Sequence, residues 1–230
     1  MFVPVRCGDR FRCPECARIA AARLVESFRP RIEAMRHPLF LSLTTLSVPL
    51  GGLSGALKEM LKAWGRLRHQ KLFKRVRGGV WSTEVTWSPV HGWHLHLHAI
   101  IDGAYIPQGE LSEAWEKLTG ARVVDIREVK DRRRAAREVL KYVCKPWELD
   151  DDQLDEVAAV FKGRRKADSW GSAREVECAP EGELCCPRCG KPVRWSEWDF
   201  VEVSTDEARQ RWFGLLWADC YGSWDVRESG

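Results

Sequence analysis

Three histidines alternate with apolar residues in the segment GWHLHLHAII, residues 92–101. Alternate side chains on a β-strand share one face, so His94, His96 and His98 are expected to point the same way. Burying three imidazoles without partners would be costly, and a divalent metal ion accounts for at least two of them. The segment therefore predicts a metal site. The alternative is a polar sheet face without a ligand.

A carboxylate is expected close to these rings. Glu84 lies in VWSTEVTW, residues 80–87, which is typical of a second strand and is followed by a short loop at Pro89. If the two strands pair across this loop, Glu84 reaches the histidine face and completes a metal site that keeps open positions. In the alternative interpretation Glu84 is an exposed carboxylate on the solvent side of the sheet.

A tyrosine lies among charged residues in the segment EVLKYVCK, residues 138–145. On a helix Glu138 and Tyr142 are neighbours one turn apart, with Lys141 and Lys145 on the same side. A phenol can attack a phosphodiester, and lysines stabilise the negative charge that develops. The segment therefore predicts phosphoryl chemistry with Tyr142 as the nucleophile. The alternative is an amphipathic surface helix with a surface tyrosine.

The other two tyrosines are weaker candidates for a nucleophile. Tyr105 lies in a turn-like segment and Tyr221 lies in the tail, and neither has Glu and Lys at helical spacing. On an ideal helix Glu138 points away from the apolar side, and Tyr142 lies near its edge. The tyrosine helix is therefore expected to pack beside the histidine face rather than squarely on the sheet.

Two cysteine pairs have the spacing of structural zinc knuckles. Cys13 and Cys16 form one pair, and Cys186 and Cys189 form the other within CPRCG. Nine cysteines in a chain without a signal sequence favour metal binding over disulfides. We therefore predict one zinc ion held by these four thiolates. Further candidate ligands are Cys7, Cys178 and Cys185, and the alternative is that the cysteines are reduced core residues.

Periodicity places these residues in an alternating set of elements. Helices are expected over residues 17–28, 53–67, 108–118, 132–144 and 150–161, and strands over 40–46, 80–87, 92–101 and 121–129. This order predicts an α+β fold, a central antiparallel sheet with helices on one face, together with a zinc-knuckle element. Three domains are predicted: an N-terminal knuckle and helix (1–36), a core (37–147) and a C-terminal segment (148–230).

Composition restricts the class of partner without identifying one. The chain has 230 residues and a net charge of +4, which mildly favours an anionic partner. No apolar run is long enough to cross a membrane, and the N-terminus lacks the apolar core of a signal peptide. We therefore expect a cytoplasmic protein without a membrane partner.

Taken in order, four segments resemble the motifs of rolling-circle replication initiator (Rep) proteins of small plasmids, which belong to the HUH endonuclease superfamily. The segments are FLSLTTL, STEVTW, GWHLHLHAII and EVLKYVCK. The resemblance covers about residues 7–145, and the presence of Glu138 before a single Tyr142 resembles the subgroup with one catalytic tyrosine. It implies a central antiparallel sheet with the histidines on a middle strand.

The resemblance also implies roles for individual residues. His96 and His98 would hold Mg²⁺ or Mn²⁺, which polarises the scissile phosphate, and His94 matches a frequent extra histidine. Tyr142 would attack this phosphate and become linked to its 5′ side, leaving a 3′-hydroxyl that primes synthesis. Glu138 would activate water to end the cycle. The cysteines at positions 7, 13 and 16 resemble a cluster found in some members.

The implied substrate is single-stranded DNA at a replication origin, for which a hairpin is one form, and the implied partners are a host helicase and polymerase. An HUH transposase or a conjugative relaxase would share the metal and the tyrosine. Many such transposases carry two nearby tyrosines, whereas this helix has one, which favours replication. A zinc-stabilised DNA-binding protein without catalytic activity is the alternative from another class.

Overall fold

The computed structural model describes Asp9, residues 11–140 and residues 149–177. All of these belong to one compact unit, Cys7–Pro180. The described residues form the strands β1 (Pro38–Thr44), β2 (Val76–Ser88), β3 (Gly92–Gly103), β4 (Val124–Glu128) and β5 (Ala167–Gly171). They also form the helices α1 (Pro14–Glu33), α2 (Leu53–Arg68), α3 (Gln108–Thr119), α4 (Arg132–Leu140) and α5 (Asp151–Phe161), and a short 3₁₀ turn covers Lys71–Phe73.

The strands form a single antiparallel sheet in the order β4-β1-β3-β2-β5. The expected α+β fold is therefore confirmed, and the histidine-bearing strand β3 occupies its centre. The predicted pairing of the Glu84 strand with the histidine strand is also present, since β2 and β3 form a long hairpin. Its turn ends at Gly92, whose φ of 77° favours glycine and whose Cβ, if present, would lie 2.2 Å from the Val48 carbonyl oxygen.

One face of the sheet carries the main apolar core. Leu95, Leu97 and Ala99 of β3 are fully buried there, together with the matching alternate residues of β1. Helices α2, α3 and α5 cover this face and contribute the large buried side chains Trp64, Trp115 and Phe161. The alternation of the sequence thus produces one apolar side, which we call the leucine face, and an opposite side that carries the histidines.

Helices α1 and α4 also pack on part of the histidine side of the sheet, where only the tyrosine helix had been expected nearby. A second apolar cluster joins Phe40, Val80 and Ile100 of the sheet to residues of α1 and α4. These three sheet residues follow the alternation of the histidines but are apolar, so they need a helix to cover them. The expectation of helices on one face only was therefore wrong: one half of the histidine face is covered and the other half carries the imidazoles.

Two further differences from the expected elements have physical causes. Helix α1 continues through Pro30 to Glu33, although proline removes one helical hydrogen bond. Phe28 and Ile32, on either side of Pro30, are buried against the second cluster, and this packing offsets the loss. Strand β5 was not expected, because its five residues give no clear alternation, and it forms by pairing with β2.

The division into three domains stays a prediction. Helix α5 and strand β5 follow the predicted boundary at residue 147, and they pack into the same unit as the core. Within the described ranges, no helix is both long and apolar enough to cross a membrane.

A single carboxylate ties α5 to the start of α2 and to the histidine strand. Glu156 accepts hydrogen bonds from the backbone N–H groups of Gly51 and Leu53, both at 2.9 Å, and from the indole N–H of Trp93 at 2.6 Å. Because the free N–H groups at the start of a helix attract negative charge, this carboxylate also stabilises α2.

We expect Glu156→Ala to lower the free energy of unfolding by about 2–4 kcal/mol, because it leaves three donors without a charged acceptor. Urea unfolding followed by tryptophan fluorescence measures the change. Glu113→Ala, an exposed position on α3, serves as the control and should change stability by less than about 0.5 kcal/mol. Equal effects of the two variants would contradict this role of Glu156.

Candidate functional site

The histidine face of β3 brings together residues from three adjacent strands. His96 is opposite Glu84 of β2 and Thr44 of β1, while His98 is opposite Ser82 and Ser42. Cross-strand neighbours are close enough for their side chains to interact. The centre of the sheet thus holds polar side chains beside the imidazoles.

His98 is held on both ring nitrogens. Its Nε2 lies 2.8 Å from Oε2 of Glu84, and its Nδ1 lies 3.0 Å from the hydroxyl oxygen of Ser42. Both members of the His98–Glu84 pair are largely buried, with side chains 11% and 12% exposed. Their mutual bond satisfies polar groups that would otherwise be costly to bury. The structure therefore places Glu84 on the histidine face, as the sequence analysis expected.

The three imidazoles form a row along β3. The ring centres of His94 and His96 are 4.5 Å apart with an edge-on geometry, and those of His96 and His98 are 5.9 Å apart and nearly parallel. The Nδ1 atom of His94 lies 3.2 Å from the Ser47 hydroxyl oxygen. The row presents several ring nitrogens along one side of the sheet.

Burial lowers the pKa of His96 to about 4, with a further lowering from the neighbouring His94, and burial also lowers the pKa of His94. Both rings are consequently neutral near pH 7, which is the form that binds metal ions. Because the folded-state pKa of His96 lies below its ordinary 6.5, its contribution to stability is present above pH 6.5 and is lost as the pH falls toward 4.

Among the described residues, no group of three or more His, Cys, Asp or Glu side chains is arranged so that it could hold a metal ion. The Nε2 atom of His98 is hydrogen-bonded to Glu84. The donor types nevertheless fit a divalent ion, because the neutral imidazoles of His94 and His96 lie on the same face as the largely buried carboxylate of Glu84. An ion binding here would replace the hydrogen bond between His98 and Glu84.

Helix α4 is fixed beside this polar centre. The hydroxyl of Ser82, directly opposite His98, donates a hydrogen bond to the backbone carbonyl of Val139. Val139 is fully buried, and Ala136 one turn earlier packs in the same cluster. Helix α4, to which Glu138 belongs, thus lies against β2, the strand that contains Glu84.

Several predicted site residues fall outside the described part of the chain. These are Tyr142, Lys141 and Lys145 of the tyrosine segment and Cys7, Cys186 and Cys189 of the proposed zinc set. Glu138 belongs to α4, but its side chain also falls outside the description. Cys13 occupies the position just before the first residue of α1, and Cys16 lies buried in its first turn.

The serines of this site were not predicted from the sequence. Ser42, Ser47 and Ser82 contact the histidines or α4, yet none of them had a predicted role. A signal was present for Ser42, which lies between Leu41 and Leu43 and is therefore a polar residue on the non-apolar face of a buried strand. Ser82 had the same signal, since it lies two residues before Glu84 on one strand and therefore on the same face, but its partner, a backbone carbonyl, could not be predicted.

A family model described as a replication protein, the Rep of rolling-circle plasmids, matches residues 4–177. The chain belongs to this family. The match to the replication proteins extends past the tyrosine segment and includes α5 and β5, where the motif resemblance had ended. No curated protein and no solved structure matches the chain.

As a plasmid replication protein, the chain is an initiator of rolling-circle replication, and its partner is DNA at a plasmid origin. The resemblance of its four motifs to the rolling-circle initiators is thereby confirmed at the level of the family. Replication is also favoured over transposition and conjugative transfer, the alternatives that share the same motifs.

Proposed function

We propose that this replication protein starts synthesis by nicking one DNA strand with Tyr142, within the subgroup that uses one catalytic tyrosine. The observation that carries the proposal is the hydrogen bond from Ser82 to the Val139 carbonyl. It holds α4 next to the Glu84–His98 pair, and Tyr142 follows Val139 by three residues in the sequence. A continued helix would bring this residue close to the histidine face.

In this reaction the phenol oxygen of Tyr142 attacks the scissile phosphorus. The bond from phosphorus to the 3′ oxygen breaks as the bond to tyrosine forms, and the phenol proton ends on the freed 3′-hydroxyl. No water is consumed, so the energy of the broken bond is kept in the phosphotyrosine link. Lys141 and Lys145 are proposed to stabilise the charge that develops on the phosphate.

His96, His98 and Glu84 are proposed to hold Mg²⁺ or Mn²⁺, with His94 as an additional ligand. When bound, the ion would polarise the scissile phosphate and make its phosphorus easier to attack. The neutral state of His96 near pH 7 supports this assignment, as does the burial of Glu84 beside His98. Ser42 would orient the His98 ring through its Nδ1 atom, in the way that second partners orient ligating histidines.

Nicking of single-stranded DNA is the direct test of the proposal. The protein is incubated with an end-labelled single-stranded fragment of its plasmid origin and Mn²⁺, and the products are separated on denaturing gels. We expect a cut strand and a protein–DNA adduct that survives denaturation. Binding without either product would favour the alternative of a non-catalytic, zinc-stabilised DNA-binding protein.

Glu138 is proposed to act after the nick, as the general base that activates water or a second strand to end the cycle. We expect Glu138→Ala to nick at close to the wild-type rate but to release its adduct about 100-fold or more slowly, because general bases contribute roughly 10²–10⁴-fold. Single-turnover decay of a purified adduct measures this step. Adduct release at the wild-type rate would leave Glu138 without this role.

A structural zinc ion is proposed at Cys13, Cys16, Cys186 and Cys189, with Cys7 as a further candidate ligand. Elemental analysis of protein purified without added metal is expected to find about one zinc per chain, as one tetrahedral thiolate site requires. A Cys186→Ser, Cys189→Ser variant should lose this zinc, whereas Cys220→Ser should keep it. Zinc-free protein with reactive thiols throughout would contradict the proposal.

A further inference from the structure

A cleft of about 700 Å³ lies at the end of the sheet where β1 and β2 begin and where β3 and β4 end. It is remote from the imidazole row, because Gly103 follows His98 by five residues, or about 17 Å along an extended strand. Its lining includes several cationic side chains and one aromatic side chain. Neither the motifs nor the proposed nicking reaction gives them a role.

Five cationic side chains line the cleft against a single carboxylate, that of Glu128. The cations are Arg36, Arg75, Arg77, Lys130 and Arg132. Arg77 is paired with the buried Asp102 at 2.7 Å, and Arg132 donates to the Glu33 carbonyl oxygen at 2.7 Å. Within the described ranges, Arg36, Arg75 and Lys130 form no ion pair and are exposed to solvent. The cleft therefore carries uncompensated positive charge, which favours a polyanion.

An exposed aromatic ring lies in the same cleft. Tyr105 is 59% exposed, although a ring of this size usually buries most of its surface. Cationic side chains that follow a backbone, together with an exposed ring on which a base can stack, are the combination that binds single-stranded nucleic acid.

Helix α4 connects the cleft to the histidine face. Its first residue, Arg132, lines the cleft, and Val139 near its other described end contacts Ser82. DNA held in the cleft would therefore be kept at a fixed distance from the polar centre of the sheet. At about 3.4 Å per nucleotide of a stacked strand, a span of about 17 Å corresponds to five nucleotides, or fewer if the strand is stretched.

We infer that this cleft binds the single strand of origin DNA a few nucleotides from the scissile phosphate, with Tyr105 stacked on a base and Arg36, Arg75 and Lys130 contacting phosphates. The inference rests on the proposed function for its substrate, but it concerns binding rather than cleavage. It makes Tyr105 a binding residue and not a competitor of Tyr142.

The stacking contact is tested with a pair of variants at one position. Binding of a short fluorescein-labelled oligothymidylate is measured by anisotropy in buffer without added Mg²⁺ or Mn²⁺, so that no nicking occurs and any structural zinc is kept. Tyr105→Ala is expected to bind about 5- to 100-fold more weakly, as the loss of one base–aromatic stack predicts, whereas Tyr105→Phe keeps wild-type affinity. Equal weakening by Phe and Ala, or no change with Ala, overturns the stacking role.

The charge contacts are tested by salt dependence. The triple variant Arg36→Gln, Arg75→Gln, Lys130→Gln should reduce the slope of log affinity against log salt by about 2, since each phosphate contact to a single strand contributes roughly 0.7. Lys58→Gln, Arg66→Gln, Lys71→Gln removes the same charge from exposed positions on and after α2 and should leave the slope nearly unchanged. Equal losses from the two triple variants would show a diffuse charge effect and overturn the cleft assignment.

A labelled duplex serves as the second probe. If the cleft triple variant weakens duplex binding as strongly as single-strand binding, the assignment to a single strand is overturned. Because these are binding measurements made without cleavage, their outcome does not depend on which residue is the nucleophile. Failure of Tyr142 as the attacking residue would leave them unchanged, and their failure would leave the nicking proposal intact.

Discussion

The Tyr142→Phe variant is expected to form no covalent adduct with single-stranded origin DNA, while binding DNA and Mn²⁺ as the wild type does. Phenylalanine keeps the ring and removes only the oxygen that would attack phosphorus. Loss of a catalytic nucleophile costs many orders of magnitude in comparable enzymes, so nicking should fall by at least about a thousandfold. A free phenol has a pKa near 10, and nearby lysines and a metal ion would favour its reactive anion.

The measurement is a denaturing gel of end-labelled DNA after incubation with Mn²⁺, with mass spectrometry to locate the modified residue. Tyr105→Phe and Tyr221→Phe serve as matched controls, because each removes one of the other two phenols in the chain. Both should give the adduct in wild-type amounts. An adduct from Tyr142→Phe, or one mapped to position 105 or 221, would show that the assignment is wrong.

The double variant His96→Ala, His98→Ala is expected to lose Mn²⁺ binding and, with it, nicking. Even the partners that orient metal ligands contribute roughly 10–100-fold to metal affinity, so removing two ligands should leave no measurable site. Titration calorimetry with Mn²⁺ gives the binding constant. Unchanged binding at the same site would contradict the assignment.

Folding must be separated from metal binding in this experiment. Removing His98 leaves Glu84 and Ser42 without their partner, which should itself cost about 1–3 kcal/mol of stability. Thermal unfolding of the metal-free variant shows whether the sheet survives. His91→Ala is the matched control, since it removes an exposed histidine from the turn of the same hairpin and should keep full Mn²⁺ binding.

Most of the sheet and its polarity could be predicted from the sequence, because the strict alternation in residues 93–99 allows one register for a half-buried strand. The same alternation placed Glu84 beside the histidines once the hairpin was assumed. The covering of Phe40 and Ile100 by α1 and α4 was harder to foresee. It depends on which apolar residues on the histidine side of the sheet are covered by a helix. Packing between distant parts of the chain determines this.

The least predictable part of the site was its hydrogen bonding. The contact of Ser82 with the Val139 carbonyl joins a side chain to a backbone atom 57 residues away, and no periodicity encodes such a bond. The basic cleft could not be predicted either, since its cations lie at the ends of three strands and at the start of a helix. In the sequence, each of these cations is typical of a surface residue, and only the topology of the sheet brings them together.

The candidate metal ligands share one local feature, the β2–β3 hairpin. Glu84, His94, His96 and His98 all lie within a span of fifteen residues that pairs across a short turn. A hairpin of this kind forms rapidly and with little loop-closure entropy, so fragments of it are expected in the unfolded ensemble. Any metal that these fragments capture is bound by the unfolded state as well. Mn²⁺ should then raise the melting temperature of this protein less than its affinity for the folded form alone would predict.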